Sequence, residues 1–185
     1  TLLPDAEVNL GFLWQKVYQQ IHIALADNKT VEGLSAVAVS FPEYGSQTFP
    51  LGAKLRLFAQ TQEQLNQLDI GQWLNRLTDY THSTSVKELP SGISKFACFK
   101  RMQFVTNIER LARRRAKRKG ETLEQAIKHY SEFKEQQSKL PFINVQSLSR
   151  SEKFRLFIEQ EFASDVREGE FSCYGLSKTA TVPWF

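Results

Sequence analysis

The chain has 185 residues, of which 41% are hydrophobic and 24% charged, and its net charge is +4. These values are typical of a globular protein with one large or two small domains, whose core needs no disulfide or metal. The longest apolar run is far shorter than the roughly 20 residues of a membrane span, and no secretion signal is recognisable. We therefore expect a cytoplasmic protein in which Cys98 and Cys173, far apart and in no metal-binding spacing, remain thiols.

Positive charge is concentrated in one segment of the sequence. Residues 100–119 hold nine Lys or Arg and a single Glu, a local charge of +8. The rest of the chain, with 15 basic and 19 acidic residues, has a net charge of −4. A basic segment on a mildly acidic body indicates a polyanionic partner.

The first ninety residues alternate between the apolar patterns of strands and of helices. The predicted elements are a strand that ends at residues 1–3, a helix over 10–25, strands over 37–41 and 54–59, a helix over 62–80 interrupted near Gly71, and a strand over 83–89. Because the chain opens at Thr1 without Met, we expect the first strand to begin upstream. This β-α-β-β-α-β order predicts a ferredoxin-like domain.

The character of the sequence changes after Pro90-Ser91-Gly92, which predicts an α+β protein with two halves, residues 1–90 and 91–185, packed together. The elements expected in the second half are a strand over 96–104, a basic helix from about Asn107 to Gly120, a helix from about Thr122 to Gln137, strands over 140–145 and 153–162, and a strand near 171–174.

The predicted basic helix carries its charge on one face. Five cations fall within an arc of roughly 140° at about 100° per residue, namely Arg110, Arg113, Arg114, Lys117 and Arg118. Because these cations repel one another, an anionic partner would stabilise them, and a nucleic-acid backbone would do so with a steep dependence on salt. A solvated surface helix is the alternative, but the density and one-sidedness favour nucleic acid.

The candidate catalytic groups include three histidines. His22 lies at the edge of the apolar stripe of the first helix, where it can reach solvent and a neighbouring strand. His82 lies in a polar run and His129 on the outer part of a surface helix, and an ordinary hydrogen-bonded or solvated histidine is the alternative for each. The sequence offers no carboxylate cluster for two magnesium ions and no His/Cys set for zinc, so no metal cofactor is expected. A nuclease without metal would act on RNA, whose ribose 2′-hydroxyl supplies the nucleophile.

The C-terminal segments carry a resemblance to a known family. Lys153-Phe154-Arg155-Leu156-Phe157-Ile158, Cys173-Tyr174-Gly175-Leu176-Ser177-Lys178 and the closing Val182-Pro183-Trp184-Phe185 resemble the type I-F CRISPR repeat-processing endoribonucleases. The basic helix over 111–119, Val39-Ser40-Phe41-Pro42 and Leu51-Gly52 also resemble that family, in its order and along essentially the whole chain.

The resemblance implies a ferredoxin-like N-terminal domain and a C-terminal half that presents an arginine-rich helix and strands to an RNA hairpin. Matched position by position, it implies these roles: His22, Ser147 and Tyr174 as catalytic residues, Arg101 and Gln103 as base-reading residues, Phe154 stacked under the last base pair of the stem, Arg113, Arg114 and Arg118 along the RNA groove, and Ser149 near the scissile phosphate. Lys117 stands where a relative has Arg, which keeps the charge but not a forked contact.

The implied activity is metal-independent cleavage of CRISPR precursor RNA at the base of the repeat stem-loop. His22 would act as general base on the 2′-hydroxyl and Ser147 would orient that sugar, giving a 2′,3′-cyclic phosphate and a 5′-hydroxyl. The hairpin product and the subunits of the interference complex are the implied partners. Two alternatives remain: a hairpin-binding subunit of the same ancestry that has lost cleavage, and a ribosomal-type or DNA-binding module.

Overall fold

The computed structural model describes residues 1–3, 5–104, 108–131, 138–149 and 152–185, and it mixes helices and strands as the α+β class predicts. The helices are α1 (Leu10–Asp27), α2 (Gln62–Leu68), α3 (Ile70–Trp73), α4 (Ile108–Lys119) and α5 (Leu123–His129), with a 3-10 turn at Asn75–Leu77. The strands are β1 (Leu34–Ser35), β2 (Ala38–Ser40), β3 (Arg56–Phe58), β4 (Phe96–Met102), β5 (Phe142–Gln146), β6 (Lys153–Ala163), β7 (Phe171–Ser172) and β8 (Val182–Pro183).

The chain forms two compact units. The first unit consists of Thr1–Arg101 and Pro141–Phe185, and the second unit consists of Met102–Leu140. The division into halves at residue 90 and the ferredoxin-like arrangement of residues 1–90 stay predictions. None of the helices in the described part of the chain has the length and apolar character that a membrane span requires.

Helix α1 is the central element of the first unit. Its N-terminus is capped by Asn9, whose side-chain oxygen accepts a hydrogen bond from the Gly11 N–H at 2.8 Å. The predicted apolar face is confirmed at Leu13, Trp14, Val17, Ile21 and Leu25, which are buried in the core together with Tyr18, whereas the predicted Leu10 is only half-buried. The buried Trp14 indole donates to the Gly52 carbonyl at 2.8 Å, so this polar atom is satisfied inside the core.

The largest sheet has four strands in the order β5-β6-β4-β8, so β5 lies at one edge. Strands β5 and β6 form an antiparallel hairpin in which Gln146 is opposite Lys153. Strand β5 alternates between buried and exposed side chains, and its buried residues Ile143 and Val145 belong to the same core as helix α1. This packing holds the end of β5 beside helix α1.

Residues 62–89 confirm one prediction and contradict another. The helical stretch is interrupted near Gly71 as predicted, at Asp69, whose φ of 42° is left-handed. The predicted strand at residues 83–89 is absent from this described segment, because its only apolar residues, Val86 and Leu89, are 41% and 53% exposed and have no face to bury. The opening apolar stretch makes a single bridge instead, from Leu2 to Thr81.

The second unit is a pair of helices. Helix α4 ends at Gly120, as predicted, with the left-handed φ of 69° that commonly ends helices. Helix α5 begins with a capping box between Thr122 and Gln125 and ends at His129. The predicted cap Asn107 and residues 132–137 of the predicted second helix lie outside the described residues.

Candidate functional site

His22 lies near the end of helix α1, and its side chain is only 3% exposed. The prediction that this histidine reaches solvent is therefore wrong for the free protein. The reason is that the turn after strand β7 covers the helix edge on which His22 lies: Cys173 and Tyr174 of that turn both contact its ring. The two residues that its ring contacts lie directly after β7, so the predicted neighbouring strand is a turn.

A backbone carbonyl fixes the tautomer of His22. The Nδ1 atom lies 2.9 Å from the Cys173 carbonyl oxygen, which can only accept a hydrogen bond. In the neutral imidazole Nδ1 therefore carries the proton and Nε2 keeps its lone pair. The ring is thus held in the form that can take a proton through Nε2.

The rings of Tyr174, Phe154 and the guanidinium of Arg101 form one cluster beside His22. The Tyr174 ring stacks on His22 at 4.1 Å between centroids and 12° between planes. Arg101 lies 4.9 Å from the Tyr174 centroid and 5.2 Å from the Phe154 centroid, within the range of cation–π attraction. Phe154 meets Tyr174 edge to face at 6.2 Å. The structure therefore brings together four of the predicted site residues.

The environment of the cluster perturbs two titrations. Burial lowers the pKa of His22 below its ordinary value of 6.5, and the positive charge of Arg101 acts in the same direction, against the hydrogen bond to Cys173. Burial raises the pKa of Tyr174, while Arg101 opposes that shift. Near neutral pH the imidazole is therefore an uncharged base and the phenol keeps its proton.

The turn that carries Tyr174 is fixed from both sides. Strand β7 ends at Ser172, so Tyr174 lies in the turn and not in the predicted last strand. The Tyr18 hydroxyl donates to the Tyr174 carbonyl at 2.8 Å, and the Val39 N–H donates to the Gly175 carbonyl at 2.8 Å. Gly175 has a φ of 68°, and a Cβ there would lie 2.4 Å from a Val39 methyl group. Only glycine fits this position without strain.

Ser147 follows strand β5 and is half-buried. Its N–H donates to the Glu152 carbonyl at 2.8 Å, and its hydroxyl lies 3.3 Å from the Ser149 hydroxyl. The residue before it, Gln146, is hydrogen-bonded through its backbone to the side chain of Gln19 on helix α1. Ser147 and His22 are therefore both tied to the same helix.

The second unit carries the predicted cationic face. All five of its residues are exposed, namely Arg110, Arg113, Arg114, Lys117 and Arg118. Arg113 forms an ion pair with Glu109 one turn earlier, whereas Arg115 pairs with Glu121 on the more buried side. Gln103 also belongs to this unit and is exposed. The face is thus exposed to solvent.

The other two histidines, His82 and His129, are exposed, and the ring of His129 meets that of the neighbouring Tyr130 edge to face. Within residues 1–3, 5–104, 108–131, 138–149 and 152–185, no three His, Cys, Asp or Glu side chains form a group that could hold a metal ion. Cys98 is buried and Cys173 half-buried, and both are free thiols.

Two partners in the site were missed by the sequence analysis. The Cys173 carbonyl is a backbone group, and nothing in its side chain marks it as the partner of His22. Gln19 is one of several glutamines on helix α1, and its contact with Gln146 spans 127 positions. Its spacing of three residues from His22, about one helical turn, was the only available clue.

Comparison with known proteins gives a consistent answer along the whole chain. The family model described as CRISPR-associated protein (Cas_Csy4) matches residues 1–185. The chain is 37% identical, over its full length and 96% of the relative, to CRISPR-associated endonuclease Cas6/Csy4 of Escherichia coli strain UTI89 / UPEC. It is 32% identical, again over its full length and 96% of the relative, to CRISPR-associated endonuclease Cas6/Csy4 of Pseudomonas aeruginosa strain UCBPP-PA14. These matches confirm the resemblance and the enzyme class, and the chain belongs to the Cas6/Csy4 family of CRISPR-associated endonucleases.

Proposed function

We propose that this protein cleaves CRISPR precursor RNA at the base of the repeat stem-loop, without a metal ion, and then remains bound to the hairpin. His22 acts as general base on the 2′-hydroxyl beside the cut. The activated oxygen attacks the adjacent phosphorus, the bond to the 5′-oxygen breaks, and a 2′,3′-cyclic phosphate and a 5′-hydroxyl result. The observation that carries this proposal is the Nδ1 contact with Cys173, because it leaves Nε2 of a neutral imidazole as the base.

Orientation and charge support the same step. Ser147 hydrogen-bonds the attacking sugar and holds it for in-line attack, an effect of position and not of proton transfer. Tyr174 keeps the imidazole plane fixed by stacking at 4.1 Å. Because its pKa is raised, Tyr174 stays protonated and does not compete with His22 as base. The proposal assigns no residue to protonate the leaving oxygen.

Recognition is divided between two kinds of contact. The exposed cations of helix α4 bind phosphates of the stem, which supplies affinity for any hairpin of the right shape. Arg101 and Gln103 read bases at the foot of the stem, where an arginine fork fits guanine and a carboxamide fits adenine. Phe154 stacks under the last base pair. Arg101 touches Tyr174, so base reading takes place beside the catalytic imidazole.

Retention of the product follows from this arrangement. Cleavage removes the strand beyond the stem, whereas the phosphate contacts of helix α4 are made to the hairpin itself. The protein therefore keeps the hairpin and joins the interference complex as its hairpin-bound subunit. The ferredoxin-like arrangement of residues 1–90 is part of this proposal.

The decisive experiment incubates repeat RNA with purified protein in excess EDTA. Wild type is expected to cut once, at the foot of the stem, and His22→Ala is expected to bind the hairpin but not to cut it. His82→Ala is the matched control, because this exposed histidine lies outside the cluster. A protein that binds the hairpin but never cuts it in EDTA would contradict the proposal and support a binding subunit. Equal affinity for generic duplex would contradict it in favour of a DNA-binding or ribosomal-type module.

A further inference from the structure

Strand β5 has an open edge that one side chain partly closes. In an antiparallel pair, alternate residues direct their N–H and C=O away from the partner strand. The Ser147 N–H points to the partner strand, where it donates to the Glu152 carbonyl. The N–H and C=O of the preceding residue, Gln146, therefore point to the other side of β5, away from β6. There the Gln146 N–H donates to Oε1 of Gln19 at 2.8 Å, and Nε2 of Gln19 donates to the Gln146 carbonyl at 3.2 Å. The Gln19 carboxamide thus takes the place that a neighbouring strand would occupy.

The position of Gln19 gives this pair of hydrogen bonds a consequence for the site. Gln19 precedes His22 by three residues on helix α1, so the two side chains share one rigid element. Gln146 is followed directly by Ser147, whose backbone and hydroxyl are engaged by Glu152 and Ser149. The carboxamide therefore connects the element that holds the imidazole with the residue next to the serine.

We propose that Gln19 is a positioning residue for RNA cleavage, which sets the distance between the Ser147 hydroxyl and the His22 imidazole. This inference rests on the proposed function, in which Ser147 orients the sugar that His22 activates. It adds a residue that touches neither the substrate nor the imidazole in that scheme and acts through Ser147 alone.

A purely structural role fits the surroundings less well. Ile143 and Val145 already anchor β5 in the core, at 2% and 1% exposure, whereas Gln19 is half-buried and Gln146 exposed. Hydrogen bonds that are open to water add little to folding. Their geometric effect is larger, because a misplacement of about 1 Å in an active site can cost about 100-fold in rate.

The test compares two glutamine-to-leucine variants on helix α1. Gln19→Leu removes both hydrogen bonds, and Gln20→Leu makes the same change at the next position, which faces the groove lined by Trp73 and Arg76. Cleavage is measured in EDTA with protein in excess, and affinity is measured with a hairpin that has a 2′-deoxy nucleotide at the cut. We expect Gln19→Leu to slow cleavage by about 10- to 100-fold with affinity within about twofold, and Gln20→Leu to behave as wild type.

A double-variant cycle separates positioning from general loosening. If Gln19 acts through Ser147, Gln19→Leu with Ser147→Ala is no slower than Ser147→Ala alone. The inference would be overturned if the rate losses of the two single variants multiplied in the double variant, or if Gln19→Leu lowered affinity as much as it lowered the rate. If Gln19→Leu does not fold, Gln19→Ala serves in the same cycle, since it places only a methyl group at the open edge. Wild-type cleavage with an unchanged Gln19→Leu rate overturns this inference alone, whereas wild type that does not cleave in EDTA overturns both proposals.

Discussion

Replacement of Tyr174 tests whether its ring or its hydroxyl serves the cleavage step. Tyr174→Phe keeps the ring that stacks on His22 at 4.1 Å and lies under Arg101 at 4.9 Å, whereas Tyr174→Leu removes both contacts. An aromatic stack contributes about 1 kcal/mol and an exposed cation–π contact about 0.5–1 kcal/mol. If this energy orients the imidazole, its loss of about 2 kcal/mol corresponds to a cleavage rate about 30-fold lower. Tyr174→Phe should remain within about fivefold of wild type, because the loss of one hydroxyl costs less than about 1 kcal/mol.

The assay is single-turnover cleavage in EDTA, with protein in saturating excess so that differences in affinity do not enter the rate. Tyr44→Leu is the matched control, because Tyr44 also makes an edge-to-face ring contact, with Phe99 at 6.2 Å, and a hydrogen bond, to the Ile158 carbonyl at 2.9 Å. This variant should lower Tm and leave the rate unchanged. A Tyr174→Phe rate as low as that of Tyr174→Leu would refute the reasoning, since the hydroxyl would then take part in proton transfer.

Three further predictions concern pH, folding and recognition. Because burial lowers the pKa of His22 below its ordinary value of 6.5, the cleavage rate should fall as the pH is lowered, with a midpoint below 6.5; a midpoint at or above 6.5 would contradict this. Gly175→Ala adds a Cβ at 2.4 Å from a Val39 methyl group on a left-handed backbone and should lower the free energy of unfolding by about 3 kcal/mol, or Tm by roughly 6–12 °C. Gly92→Ala is the control, measured by the same thermal melts: its backbone is also left-handed but lies in open space, so the loss should be about 1 kcal/mol. Arg113→Ala should weaken binding to all stems and reduce the slope of log K against log[salt] by about 1. Arg101→Ala should instead lower the discrimination between bases at the foot of the stem by about 1–3 kcal/mol. Equal losses of affinity on all sequences from both variants would contradict this division.

The sequence predicts best those elements whose pattern is local. Helix α1 follows from apolar spacing, because one face must be buried whatever the rest of the chain does. The end of helix α4 at Gly120 follows from the conformational freedom of glycine. The prediction failed at residues 83–89, where the two apolar residues, Val86 and Leu89, lie three positions apart and so on opposite faces of a strand.

The site shows the same division between local and distant information. His22 and Tyr174 could be matched to a family pattern, but their stacking joins residues 152 positions apart and follows from no local rule. The burial of His22 depends on a turn whose position is set by Tyr18 and Val39. Likewise, the partner of Gln19 is a backbone group on a distant strand, which no side-chain pattern can indicate.

The chemistry of the RNA ends tests the central claim most directly. Repeat RNA is cut by the wild-type protein in EDTA, and both new ends are characterised by mass. If the His22 imidazole activates the ribose beside the cut, the fragment upstream of the cut ends in a 2′,3′-cyclic phosphate, the fragment downstream of it begins with a 5′-hydroxyl, and a 2′-deoxy nucleotide at the cut abolishes the reaction. A 5′-phosphate, or cleavage that requires magnesium, would contradict the account.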